Sequence, residues 1–222
     1  MILLGLLDIL GPVMVGPSSS HTLGAMRIAR FARRFAATMP RKVVFVLHGS
    51  FTRTCEGHGT KKALLAGILD LSYDDEKISK SYNLARQNGL KFAFESADLG
   101  DVHPNTVRVR FFTDEWHEIE GCSIGGGAIK ITKVDEVECE LDWKYDTLIV
   151  VNRDEPKALM KILNCIDVNI ANLYLRRVNL LQQKAVTIIE LDGSNYDVEK
   201  LRKLDVVLEC YFVPKDQFLG SW

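Results

Sequence analysis

The sequence predicts an α+β protein with two consecutive regions. Three observations lead to this prediction: helix-like segments with apolar residues at helical spacing, alternating strands after Gly89, and a β-α-β-β-α-β pattern in the last third of the chain. The chain has 222 residues, enough for two small domains that each bury a core. We place the boundary between residues 143 and 144.

The opening segment, MILLGLLDILGPVMV, is apolar, but Asp8, Gly11 and Pro12 interrupt it and no basic leader precedes it. A signal peptide begins with basic residues, and a membrane span needs about 20 apolar residues. The segment is therefore predicted to be a buried first helix or turn, and no membrane partner is expected.

The first region, 1–143, continues with helices and strands. In RIARFARRFAATM the apolar residues recur at helical spacing while the arginines occupy the other face, and Pro40 ends the helix. The next segments, in order, are a β-rich run at 42–51, a helix at 59–71, a polar helix at 75–89, and strands at 91–96, 105–112, 116–124 and 128–134. The acidic segment VDEVECELDW is predicted to be a linker.

The second region, 144–222, has a clearer order. It contains a strand at 147–152, a helix at 155–167, strands at 169–179 and 184–192, a helix at 195–204 and a strand at 206–213. This β-α-β-β-α-β order is the ferredoxin-like arrangement.

Composition and cysteines exclude several classes of protein. The chain is 47% hydrophobic and 26% charged with a formal net charge of -1, so it is an ordinary globular protein for which no nucleic-acid partner is expected. Its five cysteines, at 55, 122, 139, 165 and 210, are scattered and never form a C-x-x-C pair. This pattern predicts a reducing cytoplasm, no disulfide framework, and no iron-sulfur or zinc site built by this chain alone.

The serine loop, GPSSSHT at 16–22, is the most polar short segment of the first region. Gly16 and Pro17 favour a tight turn, and serine or threonine hydroxyls can cap the helix that follows. A cap needs one hydroxyl, whereas this loop has four. Clustered hydroxyls at a helix N-terminus also suit a carboxylate, and His21 can transfer a proton near neutral pH. The residues alone leave both a simple cap and a small-anion site open.

Three later segments have the same character. They are HGSFTRTCEGHGT, with His58 and Thr60 at a helix entrance, VHPNT, with Asn105 before a strand, and GCSIGGGAI, with three consecutive glycines. Each alone is more often structural than functional. GHGTKK does not fit the phosphate loop G-x-x-x-x-G-K-[ST], because its lysine follows the threonine.

Taken together, GPSSSHTLGAMRIAR, LHGSF, GHGT, HPNT and SIGGG, in this order and at this spacing, resemble the β chain of iron-sulfur-dependent L-serine dehydratase. The C-terminal region resembles the ACT domain of the two-subunit form of that enzyme, so the resemblance covers nearly the whole chain. It implies elimination of water from L-serine to aminoacrylate, which hydrolyses to pyruvate and ammonia. It also implies a separate α chain whose [4Fe-4S] cluster acts as Lewis acid on the departing hydroxyl.

The resemblance further implies roles for individual residues. His21, with Ser19 and Ser20, is expected to be catalytic, and the loop's hydroxyls and N–H groups to hold the substrate carboxylate. The expected substrate-binding residues are Ser18, Ser19, Ser20, Thr22, His58 and Asn105. No residue of this chain is expected to bind a metal, and the glycines at 125–127 are expected to serve close packing. Two departures from the family pattern are Lys61, where GHGT is usually followed by aspartate, and Ala25, where proline is frequent.

The ACT-like region has two interpretations. ACT domains bind amino acids at a dimer interface, near a loop in which a glycine usually allows close approach, and here Lys157 stands at that point. The candidate regulatory-ligand residues are Asn152, Asp154, Asn169 and Asn172. The other interpretation is a dimerisation module whose strands pair across two copies of the chain.

A competing hypothesis from another class is a non-catalytic regulatory protein that binds an amino acid or anion. The first region is similar to a non-catalytic binding domain attached to some 3-phosphoglycerate dehydrogenases. The full motif set favours the dehydratase chain. A pyridoxal-phosphate dehydratase is disfavoured, because no lysine lies in a suitable glycine- or serine-rich motif and the chain is short for that fold.

Overall fold

The computed structural model describes residues 16–54, 57–179, 181–193 and 196–216. They divide into two units, which we call the N-terminal unit and the C-terminal unit. The first contains the described residues up to Asp135 together with Glu140–Asp142, and the second contains Glu136–Cys139 and Trp143–Asp216. The predicted opening helix or turn lies outside the described residues. No described helix is long and apolar enough to cross a membrane.

The first described helical element of the N-terminal unit lies in the serine loop, and five more described elements follow it along the chain. They are a π-helical turn at Ser19–Gly24, α1 at Ala25–Phe35, α2 at Gly49–Thr54, α3 at Thr60–Ile68, a 3-10 turn at Glu76–Lys80 and α4 at Ser81–Gln87. In α1 the apolar positions that predicted the helix, including Ile28, Phe31 and Phe35, are buried. Arg27 is buried as well, so the prediction that the arginines occupy the outer face is wrong at that position.

A six-stranded sheet forms the other layer of the N-terminal unit, except that the first three residues of its last strand belong to the segment Glu136–Cys139 of the C-terminal unit. Its strands are β1 at Lys42–Leu47, β2 at Lys91–Ser96, β3 at Thr106–Phe112, β4 at Trp116–Gly125, β5 at Ala128–Val134 and β6 at Val137–Leu141. The order across the sheet is β2-β1-β3-β4-β5-β6. β1 is parallel to β2 and antiparallel to β3, and the predicted antiparallel pairing of β3 with β4 and of β4 with β5 is present.

Strand β6 corrects the prediction that VDEVECELDW is only a linker. Val137, Cys139 and Leu141 are buried while Glu138 and Glu140 are exposed, which is the two-residue alternation of a strand with one face covered. The acidic residues that suggested a linker lie on the open face. The segment therefore extends the sheet by one strand.

Helices α1 and α3 lie against each other at very short range. A Cβ at Gly67 of α3 would lie 2.2 Å from the carbonyl oxygen of Met26 and 2.8 Å from Cβ of Ala29, both on α1. Only glycine permits this approach. Because α1 follows the serine loop and α3 follows GHGT, the contact brings these two motifs together.

The C-terminal unit has the predicted order of elements. They are β7 at Asp146–Arg153, α5 at Ala158–Leu163, β8 at Asn169–Asn179, β9 at Lys184–Asp192, α6 at Val198–Arg202 and β10 at Val207–Val213. The antiparallel sheet has the order β10-β7-β9-β8. Leu148, Val150 and Ile189 form its core with Ile162 of α5 and Leu201 of α6.

Both helices of this unit are shorter than predicted. Lys157 precedes α5 with a φ of 70°, a left-handed conformation that cannot lie inside a helix. Asp197 precedes α6, and its side chain accepts hydrogen bonds from the backbone N–H groups of Glu199 and Lys200. The two helices therefore begin directly after these residues, later than the hydrophobic periodicity of the sequence predicted.

We expect the substitution Gly67→Ala to lower the free energy of unfolding by about 1–3 kcal/mol, because the added methyl group must push α1 away from α3. Urea unfolding followed by circular dichroism measures this change. Gly57→Ala is the matched control, since a Cβ there meets nothing within 4 Å. Equal stability of the two variants would contradict the close contact between the helices.

Candidate functional site

Ser18 caps the turn that opens the serine loop. It is extended, with φ of -146° and ψ of 123°, and its Oγ accepts the backbone N–H of His21 at 3.1 Å. The N–H of Thr22 donates to the Ser18 carbonyl at 2.9 Å. Gly16 has a φ of 140°, and a Cβ there would lie 2.4 Å from Cγ2 of Thr22. Glycine is therefore required where the chain enters the loop.

The π-helical turn gathers three polar side chains. Oγ of Ser18 and Oγ of Ser20 each lie 3.3 Å from Nδ1 of His21, and the two hydroxyl oxygens are 3.4 Å apart. Ser19 points outward and is exposed. Single π-helical turns are rare and occur often at functional sites. The loop thus presents one imidazole surrounded by its own hydroxyls.

His21 also contacts two other segments. Its Nε2 lies 2.9 Å from Oγ of Ser50. Its ring and the Phe51 ring form a T-shaped pair with centroids 5.6 Å apart, and the centre of the His58 ring is 4.9 Å away. Burial, and secondly the neighbouring His58, lower the pKa of His21 below its ordinary value of 6.5. His21 is consequently neutral at pH 7 and able to accept a proton.

The GHGT segment joins the serine loop directly. Gly59, with a φ of 66°, precedes α3, and the hydroxyl of Thr22 donates to the carbonyl oxygen of His58 at 2.9 Å. Nδ1 of His58 and Oγ1 of Thr60 are buried and make no hydrogen bond to any described residue. Such buried polar atoms call for a partner. Lys61, the departure from the family pattern, has its Nζ 5.7 Å from the centre of the Phe94 ring.

The HPNT loop supports the other side of the site. Gly49 has a φ of 53°, and a Cβ there would lie 2.6 Å from the carbonyl oxygen of Pro104, which accepts the N–H of Ser50 at 2.7 Å. Asn105 accepts the N–H of Ser123 on its carbonyl at 3.0 Å, and its Nδ2 is 3.5 Å from the Ser123 carbonyl oxygen. The loop therefore links the end of β1 to β4.

Close approach occurs at Gly24 and not at Gly125. A Cβ at Gly24 would lie 2.1 Å from Oγ of Ser123, whereas one at Gly125 would meet nothing within 4 Å. The expectation of close packing is therefore wrong for Gly125. The three glycines at 125–127 all have positive φ; Gly125 ends β4, and the other two form the turn to β5. Nη1 of Arg27 donates to the Gly127 carbonyl at 2.8 Å.

The structure thus brings all five sequence motifs into one connected set of contacts. His21, Thr22, His58 and Asn105 lie in it as predicted candidates. Sequence reasoning missed Ser50, Ser123, Gly24 and Arg27 as members. The sequence carries no signal for these four residues except that each lies within one of the motifs. Their contacts join residues far apart in the chain, and local spacing does not reveal such contacts.

The described cysteines do not form a ligand set for an iron-sulfur cluster. Cys122, Cys139 and Cys165 are buried at separate positions, and Cys210 is half-buried. Burial raises the pKa of Cys122 and of Cys210, which disfavours the thiolate that a metal requires. Within the described ranges no three His, Cys, Asp or Glu side chains come close enough to hold a metal ion. Cys55 lies outside these ranges.

The four candidate ligand residues of the C-terminal unit have different surroundings. Asn152 is buried, donates to the Arg153 carbonyl at 2.9 Å and accepts the Thr187 hydroxyl at 2.9 Å. Asp154 pairs with Arg177 at 2.9 Å. Asn172 donates to Glu190 at 2.6 Å, and Asn169 is exposed at the start of β8. Three of the four are therefore held by bonds within the unit.

By fold, the molecule is an α+β chain in which polar sequence motifs from several segments come together around His21. The sequence profile of the family described as serine dehydratase beta chain matches residues 6–89. A probable L-serine dehydratase, beta chain, of Bacillus subtilis is 35% identical over 208 residues, which cover 91% of this chain and 94% of that one. The chain belongs to the serine dehydratase β-chain family.

Two other relatives extend the comparison. The L-serine dehydratase, beta chain, of Peptoniphilus asaccharolyticus is 44% identical over 146 residues, covering 64% of this chain and 66% of that one. An L-serine dehydratase of Helicobacter pylori is 24% identical over 220 residues, covering 89% of this chain and 46% of that protein.

We expect His58→Gln to raise the pKa of His21 toward 6.5, because it removes the electrostatic part of the shift and leaves the burial part. Side-chain ¹⁵N NMR of the histidine-labelled chain, titrated with pH, measures this value. The variant His21→Gln assigns the resonance among the five histidines. An unchanged His21 pKa in a folded His58→Gln chain would show that the two rings are not coupled.

Proposed function

We propose that this chain is the β subunit of an L-serine dehydratase and provides the substrate-binding and proton-transfer half of its active site. The observation that carries the proposal is the His21 imidazole, held among serine hydroxyls where the serine loop, the LHGSF segment and the GHGT segment meet. The names of the Bacillus and Peptoniphilus relatives support the substrate, L-serine.

The reaction requires a base beside the α-carbon. His21 takes the α-proton, the electron pair of the broken Cα–H bond forms the Cα=Cβ bond, and the β-hydroxyl departs. The proton taken from the α-carbon and the departing hydroxide together make one water molecule. Aminoacrylate remains and is hydrolysed to pyruvate and ammonia. The lowered pKa of His21 keeps the ring in its basic form at neutral pH.

In the serine loop, two hydroxyls contact the substrate and two others stabilise the turn. Ser19 is exposed and Ser20 lies beside the imidazole, so these two hydroxyls contact the substrate together with backbone N–H groups of the turn. The hydroxyls of Ser18 and Thr22 are bonded to the His21 N–H and to the His58 carbonyl, and they shape the turn that the substrate meets. The buried Nδ1 of His58, together with Asn105, completes the substrate contacts.

The partner in this proposal is an α chain that carries the [4Fe-4S] cluster, since the described cysteines of this chain do not form a ligand set. When bound there, the cluster supplies the Lewis acid for the departing hydroxyl. The scattered cysteines favour a cytoplasmic location for the complex.

We expect anaerobic pyruvate formation from L-serine only when this chain is mixed with a cluster-loaded α-type chain, because each chain holds half of the site. In that mixture His21→Ala should lower kcat by about 100-fold or more, the usual contribution of a general base. Circular dichroism checks that the variant is folded. Near-normal turnover by the folded variant would remove the catalytic assignment. Serine binding without any turnover would favour the non-catalytic alternative.

We further propose that the chain forms a homodimer through β8, and one observation favours this over an effector site. In the described sheet β8 has a neighbour on one side only, β9, and it is 11 residues long. Leu173 and Leu175 face the same side as the core residue Ile189 but remain more than a third exposed. A long open edge with exposed leucines is stabilised by pairing with a second strand.

The pattern of β8 also selects a register for this dimer. With Tyr174 opposite its own copy, Leu173 lies opposite Leu175 of the second copy, and Arg176 lies opposite Asn172 rather than another arginine. Opposite Cα atoms in such a pair are about 4.5–5.5 Å apart, a separation that a disulfide bridges.

We therefore expect Tyr174→Cys to give a disulfide-linked dimer on mild oxidation, read by non-reducing electrophoresis. The matched control is Leu208→Cys on β10, the opposite edge of the sheet, which should stay uncrosslinked. Leu173→Asp should shift the chain toward monomer in sedimentation. Crosslinking at residue 208 and not at residue 174 would place the interface on the β10 edge and contradict the proposed dimer through β8.

A further inference from the structure

The hydroxyl of Ser50 makes the shortest hydrogen bond to the His21 ring. Its Oγ lies 2.9 Å from Nε2, compared with 3.3 Å for each of the two hydroxyls at Nδ1. Ser18 and Ser20 belong to the same turn as His21, whereas Ser50 comes from α2, 29 positions along the chain. Ser50 thus joins His21 to a separate part of the fold.

The backbone fixes the direction of the Ser50 side chain. Gly49 takes a φ of 53°, so the chain turns from β1 into α2 within one residue, and the Ser50 N–H donates to the Pro104 carbonyl at 2.7 Å. The next residue, Phe51, is fully buried and meets the imidazole edge to face. Ser50 is therefore anchored on both sides, which places its Cβ beside the imidazole and its hydroxyl within hydrogen-bond distance of Nε2.

A hydroxyl oxygen can accept the proton of one imidazole nitrogen while the other nitrogen acts as the base. With the ring proton on Nε2, the Ser50 oxygen accepts the hydrogen bond from Nε2–H and the lone pair of Nδ1 takes the α-proton, so the bond to Ser50 is the same before and after the transfer. The ring then keeps one position in both protonation states. A base held in this way does not have to reorient during proton transfer.

We propose that Ser50 is a positioning residue that holds the His21 imidazole through Nε2 in both of its protonation states. The proposal rests on the proposed function of His21 as the base. Ser50 acts through His21 and not on the substrate.

A spectroscopic test does not require turnover. Among the described residues, the titratable group that contacts His21 is His58, on the turn before α3, while α2 contributes Ser50 and Phe51. Hydrogen bonds to a charged partner are about twice as strong as those between neutral groups. Loss of the hydroxyl therefore disfavours the imidazolium, and Ser50→Ala should lower the pKa of His21 by about half a unit or more. Ser50→Thr, which keeps a hydroxyl, should restore it.

The kinetic test uses the mixture of this chain with the α-type chain. Ser50→Ala should lower kcat by about 10-fold while KM changes by less than about 2-fold, because the ground-state contacts of the substrate remain. Ser50→Thr should recover most of kcat. The matched control is Thr52→Val, which removes a hydroxyl of the same helix that donates to the Leu47 carbonyl at 2.8 Å and should leave both His21 and kcat unchanged.

The two proposals fail in different ways. If the wild-type mixture makes no pyruvate, the proposed function fails, and the NMR titration still decides whether Ser50 holds His21. If the wild-type mixture is active and folded Ser50→Ala has the wild-type His21 pKa and kcat, the role of Ser50 is overturned while the function stands. If Thr52→Val changes the His21 pKa and kcat as much as Ser50→Ala does, the effect comes from general disruption of α2. That outcome would also overturn the positioning role of Ser50.

Discussion

The contact between α1 and α3 at Gly67 is the constraint on which the rest of the site depends. Two helices that touch backbone to backbone cannot slide or rotate without losing that contact. Each of them begins at a polar motif, and the bond from Thr22 to the His58 carbonyl shows how closely the two beginnings meet. The pairing of the two histidine rings, which after burial is the second cause of the lowered pKa of His21, follows from this placement.

The sheet supplies the complementary half of the arrangement. Ser50 follows the end of β1, Asn105 precedes β3, and Ser123 lies in β4. Hydrogen bonds between the neighbouring strands keep these three residues in register. Helix starts on one side and strand ends on the other thus bring hydrogen-bonding groups of both layers into contact. A site assembled in this way is as rigid as the two layers that carry it.

The sequence predicted most elements and most of the motif residues, and its failures have physical causes. Periodicity found α1 and every described strand but one, because burial of one face imposes it. It missed β6, where acidic residues on the open face masked a two-residue alternation. It also misjudged Arg27, since a buried guanidinium bonded to a glycine carbonyl depends on a contact 100 positions away. Ser50 and Ser123 were missed for the same reason, because spacing along the chain carries no signal for such contacts.

The approach of Gly24 to Ser123 has a consequence for how the two positions can change. A Cβ at residue 24 would lie 2.1 Å from Oγ and 2.6 Å from Cβ of Ser123, but 3.6 Å from its Cα, an ordinary contact. An alanine at 24 is therefore compatible with glycine at 123 and with no larger residue there. Positions 24 and 123, which are 99 residues apart in the chain, are therefore expected to vary together. A side chain at position 24 becomes acceptable only after Ser123 has been replaced by glycine.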